Sequence, residues 1–285
     1  MNPKLSLIIG IFCIAFSAIF VKLAGAAPVT SGFYRIFIAW LPLAVYVIAS
    51  KKINIRRTDL GIALLAGVVF ASDISVWNIS ILKIGATIST LMANLAPVWV
   101  GLFSLLFLRK RSGLWFWLGT FIALAGTIIL VGFSNLLTLQ LNAGILYAIL
   151  ASMLYATYIL LTKNVLRRVS IITFMFYSML SSSLYLMLLG ISQHTEMVHF
   201  PPHTWLNFLG MGLVCQLIGW LTINHAISYL PATKTSVALL GQTVATAVIA
   251  AFILGEVLNL SEITGSIIVL AGIAVTFVKR DVKTS

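Results

Sequence analysis

The stretch that decides the fold is WNISILKIGAT, Trp77 to Thr87, because it recurs as INHAISYLPAT, Ile223 to Thr233. The offset is 146 residues, and it sets Asn78 on Asn224 and Ala86-Thr87 on Ala232-Thr233. Carried on without a gap, the same offset brings Gly119 onto Gly265 and Leu124-Ala125-Gly126 onto Leu270-Ala271-Gly272. The chain is therefore read as two copies of one unit, residues 1–135 and 140–280, with a short tail at 281–285.

Each copy is a series of apolar runs. Of the 285 residues 61% are hydrophobic and 8% charged, against about 45–50% and 25% in soluble domains. A water-soluble fold cannot hide that much apolar surface. At roughly 20 residues per crossing, runs bounded by charge, Pro or Gly predict helical spans near 5–25, 31–50, 60–80, 85–108, 114–133, 142–163, 170–192, 204–228, 233–254 and 260–278. The expected class is an all-α integral membrane protein of ten transmembrane helices, with no room for a separate soluble domain. The first run ends in Ala24-Gly25-Ala26, which mimics a signal-peptidase site. It is too long for a signal core and carries Lys22 just before that site, so it is expected to remain. Cys13 and Cys215 lie inside apolar runs and read as small core hydrophobes.

The formal charge of +12 does not indicate nucleic acid, because the basic residues form small clusters between apolar runs rather than one face. Lys4, Lys51/Lys52/Arg56/Arg57, Arg109-Lys110-Arg111, Arg167-Arg168 and Lys279/Arg280/Lys283 fall at alternate connections, all on one side. Cytoplasmic loops carry such an excess, so both termini are expected in the cytoplasm. Lys22, Arg35 and Lys83 are exceptions placed near helix ends, and Lys163 and Lys234 are expected to snorkel to water. With five spans per copy, an odd number, the second copy enters the membrane upside down relative to the first. Inverted repeats of this kind are a recurrent architecture of secondary transporters.

At Gly85-Ala86-Thr87 through Ala96-Pro97-Val98, and at Pro231-Ala232-Thr233 through Gly255-Glu256, then Gly265 and Leu270-Ala271-Gly272, the chain resembles the drug/metabolite transporter superfamily. It is similar in particular to bacterial permeases built from two EamA-type repeats, over nearly its whole length. The resemblance implies a ten-helix bundle in the bacterial inner membrane that moves metabolites, often outward, amino acids among them. Two positions depart from the family's pattern. Arg109-Lys110 stands where the Gly-Glu after the fourth span is expected, and Thr243 replaces the ninth-span proline that would match Pro97. Only the fourth span is then expected to have its backbone hydrogen bonding interrupted.

Polar groups at membrane depth cost a few kcal/mol and usually face the bundle interior. Asp73 is the acid placed well inside a span, a candidate proton-coupling carboxylate or counter-ion for a substrate amine. Asn94, Gln216, Gln242 and Tyr155 fall near the midplane, and carboxamides both donate and accept. Trp77, Tyr158 and Trp220 are candidate aromatic lining; Asn78 and Asn224, superposed by the repeat, and His225, a potential proton relay, join the set. Pro97 and Glu256 are candidate hinge and gate residues. The alternative for each is packing or interhelical hydrogen bonding.

No phosphate loop of the Gly-Lys-Ser/Thr type occurs, and His194-Thr195-Glu196-Met197-Val198-His199 misses the spacing of a helical zinc site. No cofactor, metal or catalytic residue is assigned. The expectation is a secondary transporter for a small polar metabolite, working by alternating access with protons as a candidate coupling ion, in contact with lipid and acting as a monomer or a dimer. An intramembrane enzyme and a receptor or assembly partner without a transport cycle are the alternatives.

Overall fold

The computed structural model describes residues 1–51, 53–132, 143–254 and 259–278, and among these every regular element is helical. Within lipid a backbone must satisfy its own polar groups, which the helix does along its length. Among the described residues nine segments are long and apolar enough to cross a membrane: Pro3–Val21, Pro28–Ala49, Arg57–Gly85, Ile88–Leu106, Leu114–Val131, Ala143–Val165, Ile171–Ser192, Pro202–Tyr229 and Leu260–Phe277. Two shorter helices in line, Ala232–Ala238 and Gly241–Leu254, supply the remaining passage, counted below as the ninth span. Large apolar side chains such as Phe252, Ile267, Val45 and Leu188 stand exposed on the outside of the bundle. A soluble monomer would not present so many; lipid covers them.

The ends of the spans carry the local chemistry that stops and starts helices. Asn2 accepts a hydrogen bond from the Lys4 amide, Ser170 does the same for Thr173, and Asn259 with Glu262 forms a reciprocal capping box at the tenth span. The third span runs on to Gly85, several residues beyond the expected end. There the backbone turns sharply into the fourth span with φ 81° and ψ 158°, a region open essentially only to glycine.

Packing joins the two copies rather than separating them. The first span lies against the eighth and the third against the sixth; the second packs on the seventh and the fifth on the tenth. The first two pairs exchange under the 146-residue offset and the last two map onto themselves. The fifth and tenth spans cross antiparallel at the glycines that the repeat aligned. A Cβ at Gly119 would lie 2.6 Å from the Gly272 carbonyl oxygen, and one at Gly126 would lie 2.9 Å from that of Gly265. Only hydrogen fits at these contacts, so the backbones approach as small-residue crossings in membranes allow.

One expectation is corrected. The fourth span breaks at Asn94–Leu95, before Pro97 in the first turn of Ala96–Leu106, as the proline predicts. The ninth span, which Thr243 was expected to leave continuous, breaks as well, at Leu239–Leu240. There the Gln242 and Thr243 amides reach back three residues, to Leu239 and Leu240, at 3.1 Å each. The Thr243 hydroxyl donates to the same Leu240 carbonyl. A side-chain hydroxyl that competes for a backbone acceptor thus loosens the helix where the other copy uses proline.

Candidate functional site

Between the two copies lies a chamber of about 450 Å³. Its wall takes Ser17 from the first span, Arg35 from the second, Asp73 and Trp77 from the third, and Asn94 and Pro97 from the fourth. The second copy contributes Tyr155, Trp220, Gln242 and Thr243. The lining also reaches Val131 and Glu262, at the ends of the fifth and tenth spans remote from Pro3 and Phe277. Lys4 and Lys234 both sit 5.7 Å over the Phe277 ring, which marks the opposite end of the bundle, where the chain starts and the tenth span finishes. Toward that end the Phe70 and Trp220 rings of the lining pack on each other at 4.9 Å, and Phe70 packs on Tyr158 at 4.7 Å.

The broken helices flank this space. The first span bends at Phe16, between Pro3–Ala15 and Ser17–Ala24, and the Thr246 hydroxyl of the ninth span donates to the Ala15 carbonyl at 3.1 Å. The breaks in the fourth and ninth spans put Asn94 and Gln242 beside the chamber. Irregular backbone at membrane depth is tolerated where it lines such a cavity.

Arg35, which the sequence reading placed near a helix end, is a chamber residue. It stands seven positions inside Pro28–Ala49, about 10 Å along the helix axis at 1.5 Å per residue. Its Nε donates to Gln216 Oε1 at 2.9 Å and its Nη1 to Ser17 Oγ at 2.9 Å. Gln216 itself belongs to a π-helical stretch, Met211–Gly219, that widens the eighth span; such stretches frequently mark functional sites. Arg35 and Asp73 are within electrostatic reach of each other, and of Tyr155, yet they form no ion pair. The signal that could have found Arg35 was its depth in an apolar run, the same signal that selected Asp73.

The remaining candidates divide. Trp77 Nε1, Asn94 Nδ2 and Trp220 Nε1 have no hydrogen-bond partner among the described residues, although their side chains line the chamber or abut it. Gln216 lies behind the wall and orients Arg35. Asn78 points elsewhere and donates to the Pro28 carbonyl at 3.0 Å, fastening the third span to the start of the second. Tyr158 is buried in the aromatic cluster, Asn224 is fully buried outside the chamber, and His225 packs on Tyr229 at 5.0 Å. Glu256 and the tail at 281–285 lie outside the described residues.

One contact ties the two copies, and another fastens two spans within the second copy. Arg168 donates through Nε and Nη2 to Asp59 Oδ1, at 2.9 and 2.6 Å. Lys163 does not run out to water as expected: its Nζ donates to the Ile227 and Ser228 carbonyls, at 2.8 and 3.0 Å, at the end of the eighth span. Those carbonyls are the unpaired acceptors of a helix C-terminus, where a cation is favoured.

A multi-span helical bundle with a charged chamber between two related halves is the architecture of a membrane transporter. The chain belongs to the EamA-like transporter family, whose model matches residues 3–132 and 142–278. Among its relatives, "Uncharacterized transporter YdfC" of Bacillus subtilis is 23% identical over 278 residues, covering 96% of this chain and 90% of the relative. "Uncharacterized transporter YwfM" of the same organism is 24% identical over 256 residues, covering 88% and 84%. A transporter of Archaeoglobus fulgidus is 25% identical over 289 residues, covering 97% and 98%. A solved crystal structure matches the fold with a TM-score of 0.82 at 16% identity, over 97% of this chain and 96% of that one.

Proposed function

We propose that the chain is a secondary transporter that carries a small polar metabolite, an amino acid or a related compound, across the bacterial inner membrane by alternating access. The observation that carries this reading is the chamber itself, walled by both copies, lined by the Arg35 guanidinium and the Asp73 and Glu262 carboxylates, and flanked by helices that break at matched places. Residues 1–135 and 140–280 act as two inverted repeats; the antiparallel crossing of the fifth and tenth spans supports this reading. Two such units that rock about a shared axis present the same site to either side in turn.

The clusters of Lys and Arg support cytoplasmic termini, and with that orientation the chamber, which reaches away from the termini, faces outward in this conformation. Export is the direction that the resemblance to amino-acid exporters favours. Asp73 is the group that would accept the coupling proton. Counterflow tests the proposal: purified protein in sealed liposomes preloaded with a mixed pool of amino acids should accumulate a labelled member of that pool against its gradient. Binding without flux, or recovery of a chemically altered solute, would refute it.

A further inference from the structure

The inference rests on the alternating-access reading above and concerns what keeps the chamber shut toward the cytoplasm. From the contact between Lys163 and the end of the eighth span, we propose that this lysine is the latch of the cytoplasmic gate. Its ammonium holds the sixth and eighth spans together while the chamber opens outward, and it lets them part when the chamber opens inward.

The contact has a definite chemical cause. Lys163 Nζ donates to the Ile227 and Ser228 carbonyls at 2.8 and 3.0 Å. In a continuing helix those carbonyls would accept from the amides four residues on. Residue 231 is a proline, without an N–H, and Ala232 already starts the next helix. The two oxygens are therefore the open negative end of the eighth span, and the lysine supplies the donors they lack. The charged groups that reach Lys163 electrostatically are Arg167 and Lys110, both cations, and among the described residues it forms no ion pair. Carbonyls alone hold the ammonium while like charge pushes it toward water, so the contact can be made and broken within a cycle.

The duplication separates contacts that change with state from those that do not. Inverted copies alternate by exchanging their conformations, so a state-dependent contact at the cytoplasmic end should have a parted counterpart at the outer end. Under the 146-residue offset Lys163 falls on Ser17, and Ile227 and Ser228 fall on Ile81 and Leu82. Ser17 lines the chamber and accepts from Arg35; among the described residues no hydrogen bond joins it to Ile81 or Leu82. There the chamber lies between the first and third spans, faced by Ile14 and Ser17 on one side and by Asp73, Ile74 and Trp77 on the other. The sixth and eighth spans, their counterparts, pack directly instead, with Tyr158 on Trp220 at 5.3 Å. The Lys163 contact is thus made where its counterpart is open.

The Asp59–Arg168 pair behaves differently under the same comparison. Thr58 and Ser170, which flank it, fall on Thr204 and Ala24, and the Thr204 hydroxyl donates to the Ala24 carbonyl at 2.9 Å in this same conformation. The third span is joined to the sixth at one end of the molecule while the first is joined to the eighth at the other. A tie present at both ends at once is a fixed pivot rather than a gate.

The test is labelling of the full-length protein in membrane vesicles of known sidedness, with Cys13 and Cys215 replaced by alanine. The reporters are Thr90→Cys, in the chamber wall, and Ser236→Cys at its repeat counterpart. An impermeant maleimide reaches the first from the outer side and the second from the cytoplasmic side. Lys163→Met keeps the length of the side chain and removes the cation. It should slow outer labelling at residue 90 and speed cytoplasmic labelling at residue 236, each by about three-fold or more, the scale of one cation at a helix C-terminus. Arg168→Gln should lower the thermal midpoint and leave both rates as in the parent. If Lys163→Met does not fold, a short bismaleimide joining Asn164→Cys to Tyr229→Cys, with Lys163 in place, decides the matter: it should stop counterflow of whichever solute the parent exchanges. Unchanged labelling in folded Lys163→Met, an equal shift in Arg168→Gln, or undiminished counterflow after cross-linking would overturn the latch while transport stands. Absence of counterflow by the parent for amino acids, amines, acids, sugars and nucleosides alike would overturn the transport reading, and the latch with it.

Discussion

Replacing Gly272 by alanine should destabilise the bundle, whereas the same replacement at Gly61 should not. A Cβ at Gly272 would stand 2.7 Å from the Gly119 carbonyl oxygen and 2.8 Å from Ala123 Cα, where ordinary contact begins near 3.4 Å. These neighbours are backbone of the facing helix, so no rotamer change can relieve the overlap and the two spans must part by about half an ångström or more. Overpacking of this kind costs about 1–3 kcal/mol. At Gly61, in the third span, no heavy atom lies within 4 Å of the added carbon. Both substitutions gain the same helix propensity, about 0.8–1.0 kcal/mol, so the difference between them isolates the crossing of the fifth and tenth spans. At about 2–4 °C per kcal/mol, thermal unfolding in detergent should place the Gly272→Ala midpoint at least about 2 °C below that of Gly61→Ala, with Gly61→Ala at or above the parent. Coincident midpoints would refute the reasoning. They would mean that the copies are not held by this contact, and that the aligned glycines reflect composition alone.

Asp73→Asn should fold with a normal midpoint and still exchange solute at saturating concentration, yet lose acceleration by an imposed pH gradient; unchanged pH dependence would remove Asp73 from proton coupling. Gln242→Leu, beside the break in the ninth span, should weaken solute binding by about ten-fold, the scale of one lost hydrogen bond to a charged group, without unfolding. Equal affinity in a thermal-shift titration would make this carboxamide a packing residue. Accessibility labelling of cysteines introduced at Asn2 and Ser285 should report both on the cytoplasmic side, and opposite sides would contradict the inverted arrangement.

Much of the architecture is written in local rules. A run of about 20 apolar residues becomes a spanning helix because lipid leaves the backbone no other partners. The span positions and the glycines equivalent under the repeat could thus be read directly, though not that Gly119 meets Gly272 and Gly126 meets Gly265, and Asp73 could be recognised by depth alone. The candidate chamber was only partly readable. Asn78 and Asn94 have the same chemistry and lie one after the other along adjacent spans, but Asn78 fastens a neighbouring helix while Asn94 faces the cavity. In a helix that is apolar nearly all round, hydrophobic periodicity does not say which face turns inward.

The order of residues alone therefore determined the number of crossings and the duplication, because these depend on length, hydrophobicity and repeat spacing. Only the tertiary structure decided which polar groups share a space. It drew Arg35 away from its expected place at a helix end and set it near Asp73, oriented by Gln216 and Ser17. It also opened the ninth span at Leu239–Leu240, where the sequence has no proline. The physical reason is the same in both cases: the rotation of each helix and the breaks in it are fixed by what packs against it, and that information is spread over residues more than 100 positions apart.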